Sequence, residues 1–319
     1  MQYRLAVVCL LFVPLLAHAQ DHESVDQLFV RAQNQLLAGD YMLARDNFAQ
    51  VWKEFERIYG ERNELTIEAR IFYGQVLSMT GDAEKAMTVL GPVSSGESRN
   101  AMIARGSFAL ALRQSGQLER ATKVLREVVR SFPAVSPQNL VHLARMHSEL
   151  AVCLAYSRHF REAEANAKQA LHFIDLAEQP SPVHRASITT ILGQVYLLEG
   201  RDQLAYQTLS QAMQDAKPFW RASHPELGIL QGALGLLAFR AGRYAEAETR
   251  TREAIDAVTR LLGPDHTEVG MFSTQLAMIL KKQKRKAESK QVEARAREIL
   301  TRTRSGPASV SAWGWREVK

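Results

Sequence analysis

The sequence predicts an all-α fold, a superhelical solenoid of about seven helix-turn-helix units, on three observations. The first is a period. Turn-and-helix stretches begin at Gly39, Gly81, Gly116, Arg158, Gly200, Gly242 and Lys284, so successive starts lie 42, 35, 42, 42, 42 and 42 residues apart. A fixed period in this range marks stacked supersecondary units, each burying its apolar face against its neighbours. The second is a register of small residues. One site carries Ala32, Gly74, Ala109, Ala151, Gly193, Gly235 and Ala277; a second, twelve residues later, carries Ala44, Ala86, Ala121, Ala163, Ala205, Ala247 and Ser289. Small residues on both helices let two backbones approach closely. The third is apolar spacing: Leu150, Ala151 and Leu154, or Leu192, Gly193, Tyr196 and Leu197, recur at helical intervals around the first site.

The elements follow in chain order. The opening stretch, "MQYRLAVVCLLFVPLLAHAQ", has Arg4, an apolar run from Leu5 to Leu16, then Ala17-His18-Ala19. That order is the signature of a secretory signal peptide covering residues 1–19 and cleaved after Ala19. Its apolar run is too short for a comfortable membrane span. Cys9 lies inside that run, so Cys153 alone remains after cleavage and no internal disulfide forms.

The solenoid is expected over residues 20–302. Ser24-Val25-Asp26-Gln27 fits a capping box opening the first helix. Each unit is then helix A with the first small site, a turn seven residues on, usually at Gly, and helix B with the second site. In the second unit Gly91-Pro92 stops helix B early and "SSGES" (94–98) connects. The seven-residue deficit is about two helical turns, so the apolar face stays in phase. A local change of curvature is expected there, not a domain boundary. The last helix B, with Glu288, Lys290, Glu293, Arg295, Arg297 and Glu298, suits a solenoid end with no following repeat. Residues 303–319, with Trp313 and Trp315, are expected to form a flexible tail.

Composition is that of a soluble fold with a real core: 46% hydrophobic, 23% charged, net charge +6. Export removes the chain from nucleic acid, so its basic excess points to acidic glycans, lipids or partner surfaces. There is no Walker-type loop, CxxC, HExxH or GxSxG. "GALG" (232–235) falls on a helix and serves packing. His142 and His147, five apart, do not share a helix face; His224 and His266, 42 apart, fit helix-start chemistry in equivalent connectors. Cys153, on helix A with no base beside it, fits a small buried apolar role. No catalytic residue, metal or cofactor is implied.

With Ala or Gly on helix A, the turn Gly and Ala on helix B, these units resemble tetratricopeptide repeats. The 42-residue period and the connectors "LGPDH" (262–266) and "SHPEL" (223–227) resemble the kinesin-light-chain type. The resemblance covers roughly residues 24–300. It implies a right-handed superhelix whose A helices line a concave groove.

Counting along that groove from the small register places Gly106, Ser148, Thr190 and Gly232 as room-making residues. Beside them lie the expected partner-binding residues Tyr156, Gln194, Leu197, Leu236, Phe239 and Arg240, an aromatic, apolar and polar mix suited to a peptide. The groove asparagines of the kinesin-light-chain type are missing at Ser148, Thr190 and Gly232. A basic clamp like that of some chaperone-binding repeats is also missing, so no family ligand carries over. The expected function is a non-enzymatic protein-interaction scaffold of the bacterial cell envelope, periplasmic or secreted, binding a protein or peptide. The alternative is an envelope factor binding an acidic glycan or lipid through a basic patch of Lys281, Lys282, Lys284 and Arg285. A third is a subunit whose catalytic partner is a separate chain.

The leader generates a direct test. Intact mass of the exported protein should place its N-terminus at Gln20; full-length chain recovered in the membrane fraction would instead mean a retained anchor.

Overall fold

A computed structural model describes residues 24–134, 136–177, 182–219 and 225–303. The expected leader, His224 and the Trp313/Trp315 tail lie outside them. Fourteen α-helices and no strand occur among the described residues. They pair into seven hairpins. The A helices are α1 (Val25–Ala38), α3 (Glu64–Met79), α5 (Arg99–Gln114), α7 (Pro137–Tyr156), α9 (Pro182–Glu199), α11 (Pro225–Arg240) and α13 (Thr267–Lys282). The B helices are α2 (Tyr41–Tyr59), α4 (Ala83–Leu90), α6 (Leu118–Ser131), α8 (Phe160–Asp175), α10 (Asp202–Ala216), α12 (Tyr244–Leu262) and α14 (Lys286–Thr303).

Both small-residue sites are buried in every hairpin, from Ala32 and Ala44 to Ala277 and Ser289. Their size is required by the packing. A Cβ at Gly193 would sit 2.6 Å from Leu209 Cγ, and one at Gly235 would sit 2.9 Å from Thr251 Oγ1. The turns between A and B need a left-handed residue, which glycine supplies at Gly81 (φ 90°) and Gly200 (φ 89°). In two units the residue there is Arg158 (φ 62°) or Lys284 (φ 67°), and the same turn still forms.

Local capping fixes the helix starts. Ser24 Oγ accepts from Gln27 N–H at 3.2 Å while Gln27 Oε1 accepts from Ser24 N–H at 3.0 Å, the expected reciprocal box. Ser98 and Ser136 cap α5 and α7, and His266 caps α13 through Nδ1, which accepts from Glu268 N–H at 3.3 Å.

α4 ends at Leu90, and a single 3₁₀ turn, Gly91–Val93, leads out of it. With helix B so short, α5 packs directly along α3, the most extensive contact between successive A helices. Elsewhere neighbouring units are stitched by ion pairs at a recurring offset. Arg113 meets Glu149 at 3.0 Å, Arg126 meets Glu162 at 2.7 Å and Arg252 meets Glu288 at 2.8 Å. Glu164–Arg201 at 2.8 Å and Glu248–Arg285 at 2.7 Å do the same.

The superhelix also returns on itself. α12 touches α2, Leu262 joins the apolar cluster of Phe29, Phe48 and Tyr41, and the His266 ring lies beside the Gly81 turn. The A helices therefore surround an inner space bounded by both ends of the chain.

Leucine at Ala205 or Ala247, both fully buried, should destabilise the fold by roughly 1–3 kcal/mol through forced separation of the hairpin. Leucine at exposed Ala245 should be nearly neutral. Equal melting temperatures for the three variants would overturn the register.

Candidate functional site

Each A helix turns one stripe, with residues three and four apart, toward the inner space. On α7 it is His142, Arg145, Glu149, Val152 and Tyr156; on α9 it is His184, Ser187, Ile191, Gln194 and Leu198. All ten remain partly open. Where the two stripes meet, Val152, Ala155, Tyr156, Ile191, Gln194, Val195 and Leu198 line a small pocket.

Tyr156 and Gln194 thus line one pocket. Arg240 holds the equivalent stripe position on α11, but its guanidinium is engaged: Nη1 donates to Asp202 Oδ1 at 2.7 Å and to the Leu197 carbonyl at 3.0 Å. Leu197 (0% exposed), Leu236 (3%) and Phe239 (6%) are not groove residues. They belong to the core cluster between the fourth and seventh units, with Leu209, Leu234 and Ile279.

The small residues Gly106 and Gly232 leave no room either. Met146 of the next unit packs over Gly106, within 3.2 Å of where a Cβ would stand, and the Phe272 ring fills the space at Gly232. Of the expected basic patch, Lys281, Lys282 and Lys284 are exposed. Arg285 is held by Glu248 at 2.7 Å and Glu288 at 2.5 Å. Cys153 is buried and free, and burial pushes its thiol up to about 12, which disfavours the thiolate.

A second set of groups was not among the expected site residues. His142, His184, Glu226 and Glu268 occupy the first or second turn of α7, α9, α11 and α13, each 42 residues from the last. That spacing is the sequence signal that identifies them. Burial pushes His142 down to about 3, assisted by Arg145 and Arg99, and lowers His184 in the same way with Arg145 beside it.

The two carboxylates move the other way. Burial raises Glu226 to about 7; the Ser187 hydroxyl, donating to Oε2, opposes this and the charge of Glu149 adds to it. Burial raises Glu268 to about 7, with Arg113 opposing and Glu226 adding. Tyr41, reaching in from α2, is raised by burial and then by both carboxylates.

The inner space is therefore divided by charge. Its α5–α7 side carries Arg113, bonded to Glu149 at 3.0 Å, and Arg145, which donates to Ser107 Oγ at 3.3 Å. Its α11–α13 side carries Glu226 and Glu268. Glu268 Oε2 is a buried atom with no hydrogen-bond partner. Among the described residues no cluster of three or more His, Cys, Asp or Glu can hold a metal, and no helix is long and apolar enough to cross a membrane. The arrangement offers polar and aromatic contacts to a bound chain.

Residues 226–302 match a family model described as Tetratricopeptide repeat. Among solved structures, this chain is similar to a Rap protein complexed with Competence and Sporulation Factor, at 13% identity over 88% of this chain and 78% of that one, with a TM-score of 0.65. It is similar to a chain of the APC/C hetero-tetramer Cut9-Hcn1, at 14% identity over 87% and 45%, TM-score 0.59. It is also similar to the apo form of the quorum sensor NprR from B. thuringiensis, at 13% identity over 87% and 76%, TM-score 0.56. At these identities the likeness is one of fold. No curated protein sequence matches.

The raised carboxylates make a pH signature. Between the ordinary carboxylate value, 4.5, and about 7, folded Glu226 and Glu268 hold protons that the unfolded chain releases, so each lowers stability as pH rises through that window. Glu226→Gln or Glu268→Gln should be near wild type at pH 5. The stabilisation should then grow to a plateau above pH 7, at up to about 3 kcal/mol per site. A melting-temperature difference that stays flat from pH 5 to 8 would show that the carboxylates are not shifted.

Proposed function

We propose that this chain is a tetratricopeptide-repeat protein and an exported, non-enzymatic scaffold that binds a peptide or a segment of a partner protein inside its superhelical groove. One observation carries the reading. On the concave face at α7–α9, Tyr156 and Gln194 stand partly open over Val152, Ile191 and Leu198, while the apolar residues on the adjoining faces are sealed in the core. A partly open aromatic ring with a side-chain amide beside it suits a contact point for an extended chain. The likeness to a Rap protein complexed with Competence and Sporulation Factor supports a role for this shape in holding a partner. The leader at residues 1–19 supports an envelope or secreted location.

A crosslinking pull-down of the mature protein from its own envelope, repeated with variants, tests this. Tyr156→Ala and Gln194→Ala should each reduce partner retention about tenfold or more, at unchanged circular dichroism. Phe239→Ala should instead lower the melting temperature, by the roughly 3–5 kcal/mol of a buried phenylalanine, because that ring is core. Full retention by folded Tyr156→Ala and Gln194→Ala would overturn the groove reading. Loss on replacing Lys281, Lys282 and Lys284 would transfer the function to the basic end.

A further inference from the structure

We propose that Glu226 and Glu268 form a receptor for one protonated amine or guanidinium, carried by the segment that enters the groove. This deepens the groove reading and rests on it.

The two carboxylates stand at equivalent places in the first turns of successive A helices, α11 and α13, on the inner face. Each senses the charge of the other or of Glu149, and both act on the Tyr41 phenol opposite. They therefore converge on one region of the inner space. Glu226 is oriented by the Ser187 hydroxyl. Glu268 Oε2 is sealed from solvent yet accepts no hydrogen bond. Its neighbouring cation, Arg113, is bonded to Glu149 at 3.0 Å. Buried carboxylate oxygens are ordinarily hydrogen-bonded or paired, so an unsatisfied one on a binding face marks the place of a missing donor. An ammonium or guanidinium group supplies that donor and draws the two carboxyl groups into their charged forms.

The surroundings make the preference specific. The chain as a whole is basic, with a pI near 9.4. Its general field repels cations and attracts anions. A cation that binds does so through local contacts. Arg113, whose charge already acts on Glu268, and Arg145 disfavour a second positive group, so a single cation fits better than a run of them.

The cation has two sources: a lysine or arginine side chain of a bound peptide, or a free monoamine. Fluorescence anisotropy with dye-labelled Ala-Ala-Lys-Ala-Ala amide, its Ala-Ala-Glu-Ala-Ala counterpart and unlabelled n-butylamine separates them. The mature wild type should prefer the lysine peptide about tenfold or more, against the trend of its net charge. Glu226→Gln/Glu268→Gln should abolish that preference while remaining folded by circular dichroism, and Glu268→Gln alone should remove most of it. n-Butylamine that displaces the peptide, with the same dependence on the carboxylates, assigns the site to free monoamines; failure to displace assigns it to peptide side chains. Equal affinity for both peptides, or a preference that survives in the double variant, overturns the receptor. If Tyr156→Ala still weakens both peptides in that case, the groove reading stands without it. Binding of neither peptide overturns both.

Discussion

Every hairpin of this protein closes on a pair of residues with almost nothing beyond Cβ, and the rest of the architecture depends on that contact. At Gly193 a single added carbon would strike Leu209, and at Gly235 it would strike Thr251. Because the small pair sets how close helix A and helix B lie, the larger apolar residues on either side are turned toward the units before and after. Repetition at 42 residues converts one local contact into a continuous core. The contact also overrides local preference. Arg158 and Lys284 adopt the left-handed turn that glycine takes elsewhere, at a conformational cost of about 1–2 kcal/mol each, because the two helices they join have only one way to pack.

The same geometry creates the inner space and sets its chemistry. α12 packs against α2, so groups on the concave stripes lose solvent. Desolvation acts on each according to its charge: it lowers His142 and His184 and raises Glu226 and Glu268. Both pairs are thereby driven toward the neutral form by one cause. A groove of this kind is destabilising when empty, and a complementary ligand can recover that energy on binding.

The fold was legible because its determinants are local and repeated. The period, the small register and the capping box at Ser24 all stand in the sequence, and each has the structural role expected of it. The site was only partly legible. Tyr156 and Gln194 line the small pocket between α7 and α9. Leu197, Leu236 and Phe239 do not, because the twist between successive units decides which flank of helix A is covered. That twist arises from the packing of whole repeats. Gly106 and Gly232 show the same limit: a small residue signals either vacancy or a large neighbour, and here the neighbours are Met146 and Phe272. The ladder of groups 42 residues apart, His142, His184, Glu226 and Glu268, was present in the sequence, but in another direction. Along one helix, His142 and His147 diverge; across units, His142, His184, Glu226 and Glu268 align.

Charge alone does not distinguish these ladder residues from the many ion pairs on the solenoid; the balance of burial and partners does. Glu248 and Glu268 belong to neighbouring helices, and desolvation raises both. In Glu248 the hydrogen bonds from Arg252 and Arg285 outweigh it, and the carboxylate ends below its ordinary value. Glu164 is carried further still, to about 2, by Lys168, with Arg201 and Tyr196 adding to it. Such residues have their counter-ions within the chain and join one unit to the next. Glu268 has the burial without the partners. Its Oε2 is unsatisfied and the nearest guanidinium serves another carboxylate. Two glutamates of one composition thus have opposite roles: the paired one holds the solenoid together, and the unpaired one leaves an interaction to be completed from outside the chain.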